Sequence, residues 1–241
     1  MVNFDINVDM GEGHQIENDL MPIIQSCNIA SGGHAGSDTE IKKCIYLAKI
    51  HQVKIGAHPS YPDKKNFGRI TMQIDKKKLA LSLESQLNSF IRLLENPKEL
   101  HHVKPHGALY KDCAINKALA KIFLNAVFKC CPWATIFTHP NSELEKQAKR
   151  KGIKVWGEAF LDRTYIENGQ LEVREKPGAI ITNVNTMYAR LNTLINNNQL
   201  QTVKGVWISI KAETFCIHGD HPNAFQNLQD LLKLYHNQKT L

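Results

Sequence analysis

No stretch of this chain approaches the roughly 18 consecutive apolar residues that a membrane-spanning helix needs. The opening residues, MVNFDINVDMGEG, lack the basic-then-apolar pattern of a secretory signal, so a cytoplasmic protein with no membrane partner is expected. The six cysteines (Cys27, Cys44, Cys113, Cys130, Cys131, Cys216) form no CxxC pair. Reduced, mostly buried thiols are expected, rather than disulfides or a cysteine-built zinc site. No Pro/Gly-rich linker interrupts the sequence, which predicts one domain over residues 1–241. A GxSxG nucleophile elbow, a GxxxxGK[ST] phosphate loop and a first-strand GxGxxG are all missing. Cations exceed anions, giving a net charge of +7, but the lysines lie in helical-looking stretches such as DKKKLALSLESQ and EKQAKRKG without interleaved aromatic residues. These read as solvated helix faces, and nucleic acid is not an expected partner.

What is present is a regular alternation of short strands and amphipathic helices, with a hydrophobic content of 42% that suffices for a core. FDINVDM, SCNIAS, VKIGAHPS, HHVKPH, ATIFTH, IKVWGEAF, GVWISI and ETFCIHG read as strands. Ser37 and Glu40 have capping-box spacing ahead of an apolar face of Ile41, Cys44, Ile45 and Ala48. Asp75 caps a helix predicted to run to about Glu95; further helices are predicted near Lys117–Lys129, after Ser142, over Val184–Ile195 and over Ala224–Tyr235. The polar stretch from Leu161 to Pro177 breaks the pattern, with ENGQ as a hairpin-type turn. Strand–helix alternation along the whole chain means an α/β protein with a parallel sheet, and six or seven such units favour a closed or nearly closed barrel.

The unusual polar residues fall at strand ends. NIASGGHAGSD is an example, setting His34 among glycines directly after an apolar run. Asp5, Asn7, Asp9 and Glu12 lie on or just after the first strand, and His34 follows the second. His58, Lys104, His106, Glu158, Asp162, Arg163, His218 and Asp220 end later strands. In β/α barrels the C-terminal strand ends form the active face, so these residues are expected to converge on one pocket, with His34 as a wall. Two chemistries remain open. Asp5, Asp9, His34 and His58 could hold a divalent metal such as zinc or manganese. Alternatively, histidines and carboxylates transfer protons while Lys104 and Arg163 hold an anion.

The motifs DINVDMGEG, NIASGGHAG, IGAHPSYPD, FGR, HVKPHGALY, EAFLDRTY and HGD, in this order, resemble those of the LamB/YcsF family, described as the A subunits of 5-oxoprolinase. The resemblance covers nearly the whole chain. It implies a distorted seven-stranded β/α barrel of the glycoside hydrolase/deacetylase type. It also implies ATP-dependent opening of 5-oxoproline to glutamate with partner subunits B and C, Mg²⁺–ATP serving as co-substrate. Carried over by motif, Lys104, His106, Glu158, Asp162 and Arg163 are the expected catalytic residues. Asn7, Glu12, Asn28, Gly32, Gly33, His218 and Asp220 are expected to bind substrate or nucleotide, and Asp5, Asp9, His34 and His58 a metal. On this view Lys104 and Arg163 stabilise anionic groups, His106 or Glu158 handles the proton, and Lys104→Ala abolishes turnover without unfolding the protein. Ser31, Gly33 and Ser37 replace the cysteine, phenylalanine and acidic residue usual in the family, and Gly33 is expected to leave a space where a ring would sit. The alternatives are a metal-dependent deacetylase or amidohydrolase acting without ATP, and a non-catalytic subunit binding a small carbohydrate or acid. Homo-oligomerisation is left open.

Overall fold

Asp5, Asn7 and Asp9 alternate with Ile6, Val8 and Met10, so an extended backbone sends the two sets to opposite faces. The computed structural model, which describes residues 2–238, forms strand β1 (Asp5–Met10) from this stretch. After the short helix α1 (Glu17–Leu20) come β2 (Ser26–Ala30), α2 (Asp38–Ile50), β3 (Lys54–His58), α3 (Lys76–Ile91) and β4 (Leu100–Val103). Two consecutive helices, α4 (Gly107–Ile115) and α5 (Lys117–Cys130), lead to β5 (Thr135–Thr138), α6 (Glu143–Arg150) and β6 (Val155–Phe160). The chain then leaves the sheet over residues 161–213. This excursion carries α7 (Val184–Asn197) and an antiparallel ribbon of β7 (Gln199–Gln201) and β8 (Trp207–Ser209). Strand β9 (Thr214–Ile217) returns between β6 and β1, and α8 (Ala224–Gln238) follows.

The result is a closed barrel of seven parallel strands in the order β1-β2-β3-β4-β5-β6-β9, with helices outside. Its distortion includes a register shift between Ile55 and Gly56, where β3 pairs with β4. Gly56 is required there: a Cβ at this position would lie 2.0 Å from Nε2 of His102, whose ring fills the barrel interior. The apolar face of β1 joins a cluster completed by helix residues such as Ile41, Leu83, Phe90, Leu124, Leu191 and Leu231. Each fully buried side chain of this kind contributes about 1.5–3 kcal/mol. The polar face of β1 points inward. Its alternation is thus the mark of a parallel strand with a polar lumen, where a doubly covered strand would otherwise read as uniformly apolar.

The capping box of α2 forms as predicted: Ser37 Oγ accepts from Glu40 N–H, and Glu40 accepts from Ser37 N–H. The ENGQ turn also forms, closed by the Tyr165–Leu171 bridge. Three sequence expectations change. GVWISI contains a strand, but β8 pairs with β7 outside the barrel. Helix α3 stops at Ile91, and a tightened turn keeps Leu94 buried beyond it. Helix α4 was not anticipated, because GALYKDCAI is short and lacks an amphipathic stripe, and its N-cap residue His106 uses its side chain elsewhere. All six cysteines are free thiols. Among the described residues no helix is long and apolar enough to cross a membrane.

Candidate active site

The barrel interior is a ladder of polar side chains. At the N-terminal end of β1, Asp5 accepts hydrogen bonds from Ser26 Oγ (2.9 Å), Thr214 Oγ1 (2.6 Å) and Lys54 Nζ (3.0 Å). One layer up, Asn7 donates to Thr214 Oγ1 and accepts from Asn28 Nδ2, at 2.8 and 2.7 Å. Asn28 Nδ2 also donates to Asp9 Oδ1 (2.8 Å), and Asn28 Oδ1 lies 2.8 Å from His102 Nε2. Lys104, just beyond β4, reaches across the lumen to strands it does not pair with. Its ammonium lies 3.0 Å from Asp9 Oδ1, 2.9 Å from Glu158 Oε1 and 3.3 Å from Cys216 Sγ. Burial works against its charge, yet Asp9, Cys216 and Glu158 hold Lys104 protonated, well above the usual lysine range. Burial likewise opposes ionisation of Asp9, but Lys104 and His58 keep its carboxyl well below the usual value. The Tyr110 hydroxyl sits beside Glu158, and burial together with that carboxylate pushes its pKa far up.

Above this ladder, ligand-type atoms of Asp9, Glu12, His58 and His106 all lie within 4.8 Å of one another. Backbone carbonyls fix the histidine tautomers. His58 Nδ1 donates to Lys104 O (2.8 Å) and His106 Nε2 donates to Phe67 O (2.9 Å). The opposite nitrogens, His58 Nε2 and His106 Nδ1, then face each other at 3.0 Å with a lone pair each. Such an approach calls for a proton or a metal ion at hand. Burial, His34 and His58 hold His106 well below its usual pKa, which disfavours the proton. Two histidines anchored through their distal nitrogens, with two carboxylates, suit zinc or manganese.

Glu12 is held from behind by His34, whose Nε2 lies 2.9 Å from Glu12 Oε1 and whose ring stacks on His106 at 3.6 Å. Burial brings His34 down to about 4, so the neutral ring donates this bond. Burial and the neighbouring Asp9 push Glu12 up to about 7. The FGR loop closes over the cluster. Gly68 (φ +61°) and Gly107 (φ +53°) take left-handed conformations, and a Cβ at 107 would lie 2.6 Å from Gly68 O. Glycine at both positions lets the two loops touch and aims Phe67 O at His106.

A cleft of about 100 Å³ opens on these groups. Asp9, Glu12, His58, Lys104 and His106 form its floor, and Arg69, Tyr110, Arg163, Arg174, His218 and Asp220 are in its walls. Asp162 accepts from both the backbone N–H and Nδ1 of His218, each at 2.9 Å. Burial opposes both charges, but each partner outweighs it: His218 holds Asp162 at about 2, and Asp162 raises His218 above its usual value.

Comparison with known proteins bears on the family and the fold. The model of the LamB/YcsF family matches residues 4–240. The chain belongs to this family. A curated relative from Thermus thermophilus, named as the A subunit of 5-oxoprolinase, is 36% identical over 228 residues, covering 91% of this chain and 90% of the relative. The crystal structure of a lactam utilization protein, also from Thermus thermophilus, superposes with a TM-score of 0.87 at 30% identity, over 98% of each chain.

In this LamB/YcsF protein the residues singled out from the sequence divide by depth. Asp9 and His58 join the expected metal set, but Asp5 does not, because two residues along β1 separate each layer and Asp5 lies two layers below. His34 supports Glu12 from behind and does not line the cleft. Glu12 and His106 replace these two, moving from expected binding and proton-handling roles into the cluster. Asn7 and Asn28 position Asp9 from below, and Gly32 and Gly33 shape the loop; none of the four lines the cleft. Gly33 leaves no space. A Cβ there would lie 2.4 Å from both Gln86 Oε1 and Ser60 Oγ, because Gln86 reaches in from α3 to bond Ser60 N and O. Arg163 is tied to Ala179 O and Glu172 O. Sequence reasoning missed His102, Tyr110, Arg69 and Arg174. The FGR and VKPHGALY motifs already contained Arg69 and Tyr110, whereas nothing local marks Arg174.

Proposed function

We propose that this chain is the lactam-opening subunit of an ATP-dependent 5-oxoprolinase, converting 5-oxo-L-proline to L-glutamate together with subunits B and C. The observation that carries this reading is the small cleft with the Asp9, Glu12, His58 and His106 cluster on its floor and His218, held from behind by Asp162, in its wall. The name of the Thermus relative supports the substrate and the existence of partner subunits. The chain is read as one cytoplasmic domain.

Phosphoryl transfer from ATP to the lactam oxygen, releasing ADP, would activate the ring carbon; water adds there, the C–N bond breaks as a proton reaches the departing nitrogen, and a second water releases glutamate and phosphate from the acyl phosphate. A divalent metal held by Asp9, Glu12, His58 and His106 would supply Lewis acidity toward the lactam oxygen or the water. His218, whose pKa Asp162 raises, is suited to donate to the nitrogen through Nε2, which has no hydrogen-bond partner among the described residues. Lys104 sets the positions of Asp9 and Glu158 and keeps Asp9 ionised. Lys104 is committed to Asp9 and Glu158, which leaves the expected anion-holding role to Arg163, whose guanidinium bonds Ala179 O and Glu172 O in the cleft wall and keeps further N–H donors.

A volume of about 100 Å³ suits a molecule of 5-oxoproline's size and is well below the several hundred Å³ typical of larger ligands. With no phosphate loop in the sequence, ATP is assigned to a surface completed by the partner subunits. The deciding experiment mixes the chain with subunits B and C, 5-oxoproline and Mg²⁺–ATP, and measures glutamate and ADP together. Glutamate that depends on both partners and ATP supports this reading. The metal-type cluster favours a second reading, an amidohydrolase acting without ATP. Turnover of amides by the zinc- or manganese-loaded chain alone would select it.

A further inference from the structure

The cations at the cleft mouth are differently placed from those on its floor. Arg69 follows the left-handed Phe67–Gly68 turn, and Arg174 lies on the excursion between β6 and α7. Both aim a terminal nitrogen at the same atom, Asp220 Oδ2, at 2.5 and 2.8 Å. Two guanidinium charges on one carboxylate leave one positive charge uncompensated. Each guanidinium has five N–H donors, and no other hydrogen bond from either is found among the described residues. Their side chains are 41% and 24% exposed, so the spare donors are open to a ligand. The Arg69 guanidinium also lies 4.9 Å over the Phe67 ring, and Phe67 O holds His106. Arg69 and the cluster floor are thereby fixed to one loop.

We propose that Arg69 and Arg174 are the carboxylate receptor of this cleft. Resting on the 5-oxoprolinase reading, the inference is that they bind the carboxylate of the lactam acid through their spare N–H donors. Asp220 holds the two guanidiniums side by side, and the bound carboxylate directs the ring amide at the cluster floor. Paired arginine donors match a carboxylate in a way a lysine ammonium does not. The site thus selects a lactam bearing an anionic group over the bare ring.

The test compares 5-oxoproline with 2-pyrrolidone, the same ring without its carboxylate, in the complex reconstituted with subunits B and C. Arg174→Ala and Arg69→Ala are each expected to raise KM for 5-oxoproline about 10–100-fold, the scale of a lost charged hydrogen bond. The loss should fall mainly on KM rather than kcat, and the preference for 5-oxoproline over 2-pyrrolidone, read as the ratio of their kcat/KM values, should fall about 10–100-fold. Arg174→Lys keeps the charge and should recover only part of the affinity. Calorimetric titration of the chain with 5-oxoproline gives the same comparison without turnover. Unchanged KM in both alanine variants, equal losses for both substrates, or full rescue by lysine would each overturn the assignment. A wild-type complex that neither binds nor opens 5-oxoproline would overturn the parent reading, and the receptor with it.

Discussion

Replacing Lys104 with alanine removes an ammonium that lies within 3.0 Å of Asp9 Oδ1 and 2.9 Å of Glu158 Oε1 in the barrel lumen. Both carboxylates are inaccessible or nearly so, Glu158 at 0% and Asp9 at 6% exposure. Truncating one partner of a buried ion pair costs about 3–5 kcal/mol, because the remaining charge stays buried without compensation. At about 2–4 °C per kcal/mol for a chain of this size, the melting temperature should fall by roughly 6–20 °C. Turnover should also disappear, while the chain should stay folded at reduced stability. The deficit carries a pH signature. In the wild type Asp9 titrates below its usual range, so its contribution is present above the unfolded pKa and lost as pH falls through the folded one. In the variant, buried carboxylates without a cation titrate above their unfolded values. Their folded form is favoured at low pH and loses stability as pH rises. Thermal unfolding followed by circular dichroism at pH 5.5 and 8 should therefore show the larger deficit at pH 8. A fall of less than about 2 °C, or a deficit that grows on acidification, would refute the argument that Lys104 compensates the lumen charges.

Titration calorimetry should find one zinc or manganese site per chain, abolished in His106→Ala; His34→Ala should weaken it about 10–100-fold through Glu12, and Asp5→Asn should leave it unchanged within about twofold. Asp162→Asn should lower the titration midpoint of His218, read by NMR of its ring, and reduce turnover above neutral pH by about 10²–10⁴-fold as the proton donor is lost. The stability that His218 draws from Asp162 is full below the unfolded histidine pKa and fades as pH rises through its raised folded value, so the wild-type advantage over Asp162→Asn in melting temperature should shrink at alkaline pH. Gly33→Ala should cost about 1–3 kcal/mol in chemical denaturation, and less in a Gln86→Ala background, since Gln86 occupies the space a Cβ would enter. Equal costs in the two backgrounds would mean that the strain lies elsewhere.

Much of this protein follows from local pattern. Period-two alternation in DINVDM, the Ser37–Glu40 box and the apolar stripes of α2 and α3 depend on neighbours a few residues apart, and they fixed strands, helices and their alternation into a barrel. The tendency of ionisable residues to fall at strand ends pointed to one end of the barrel, and Asp9, His58, Lys104, His106 and His218 line one cleft there. Depth and partnership were decided by the closed barrel. Asp5 and Asp9 share one face of β1, and only the register against β2 and β9 assigns the first to the opposite end of the lumen. His34 and His106 look alike in sequence, yet the loops set one behind Glu12 and turn the other's free nitrogen toward His58. Arg174 carries no motif at all; it meets Arg69 and Asp220 because barrel closure brings the loops after β3, β6 and β9 to one rim. Side-chain type and spacing are local properties of the chain. Which lone pairs, charges and loops finally face one another depends on contacts between residues far apart in the chain, such as Asp5 and Thr214, 209 positions apart, and those exist only once the barrel has closed.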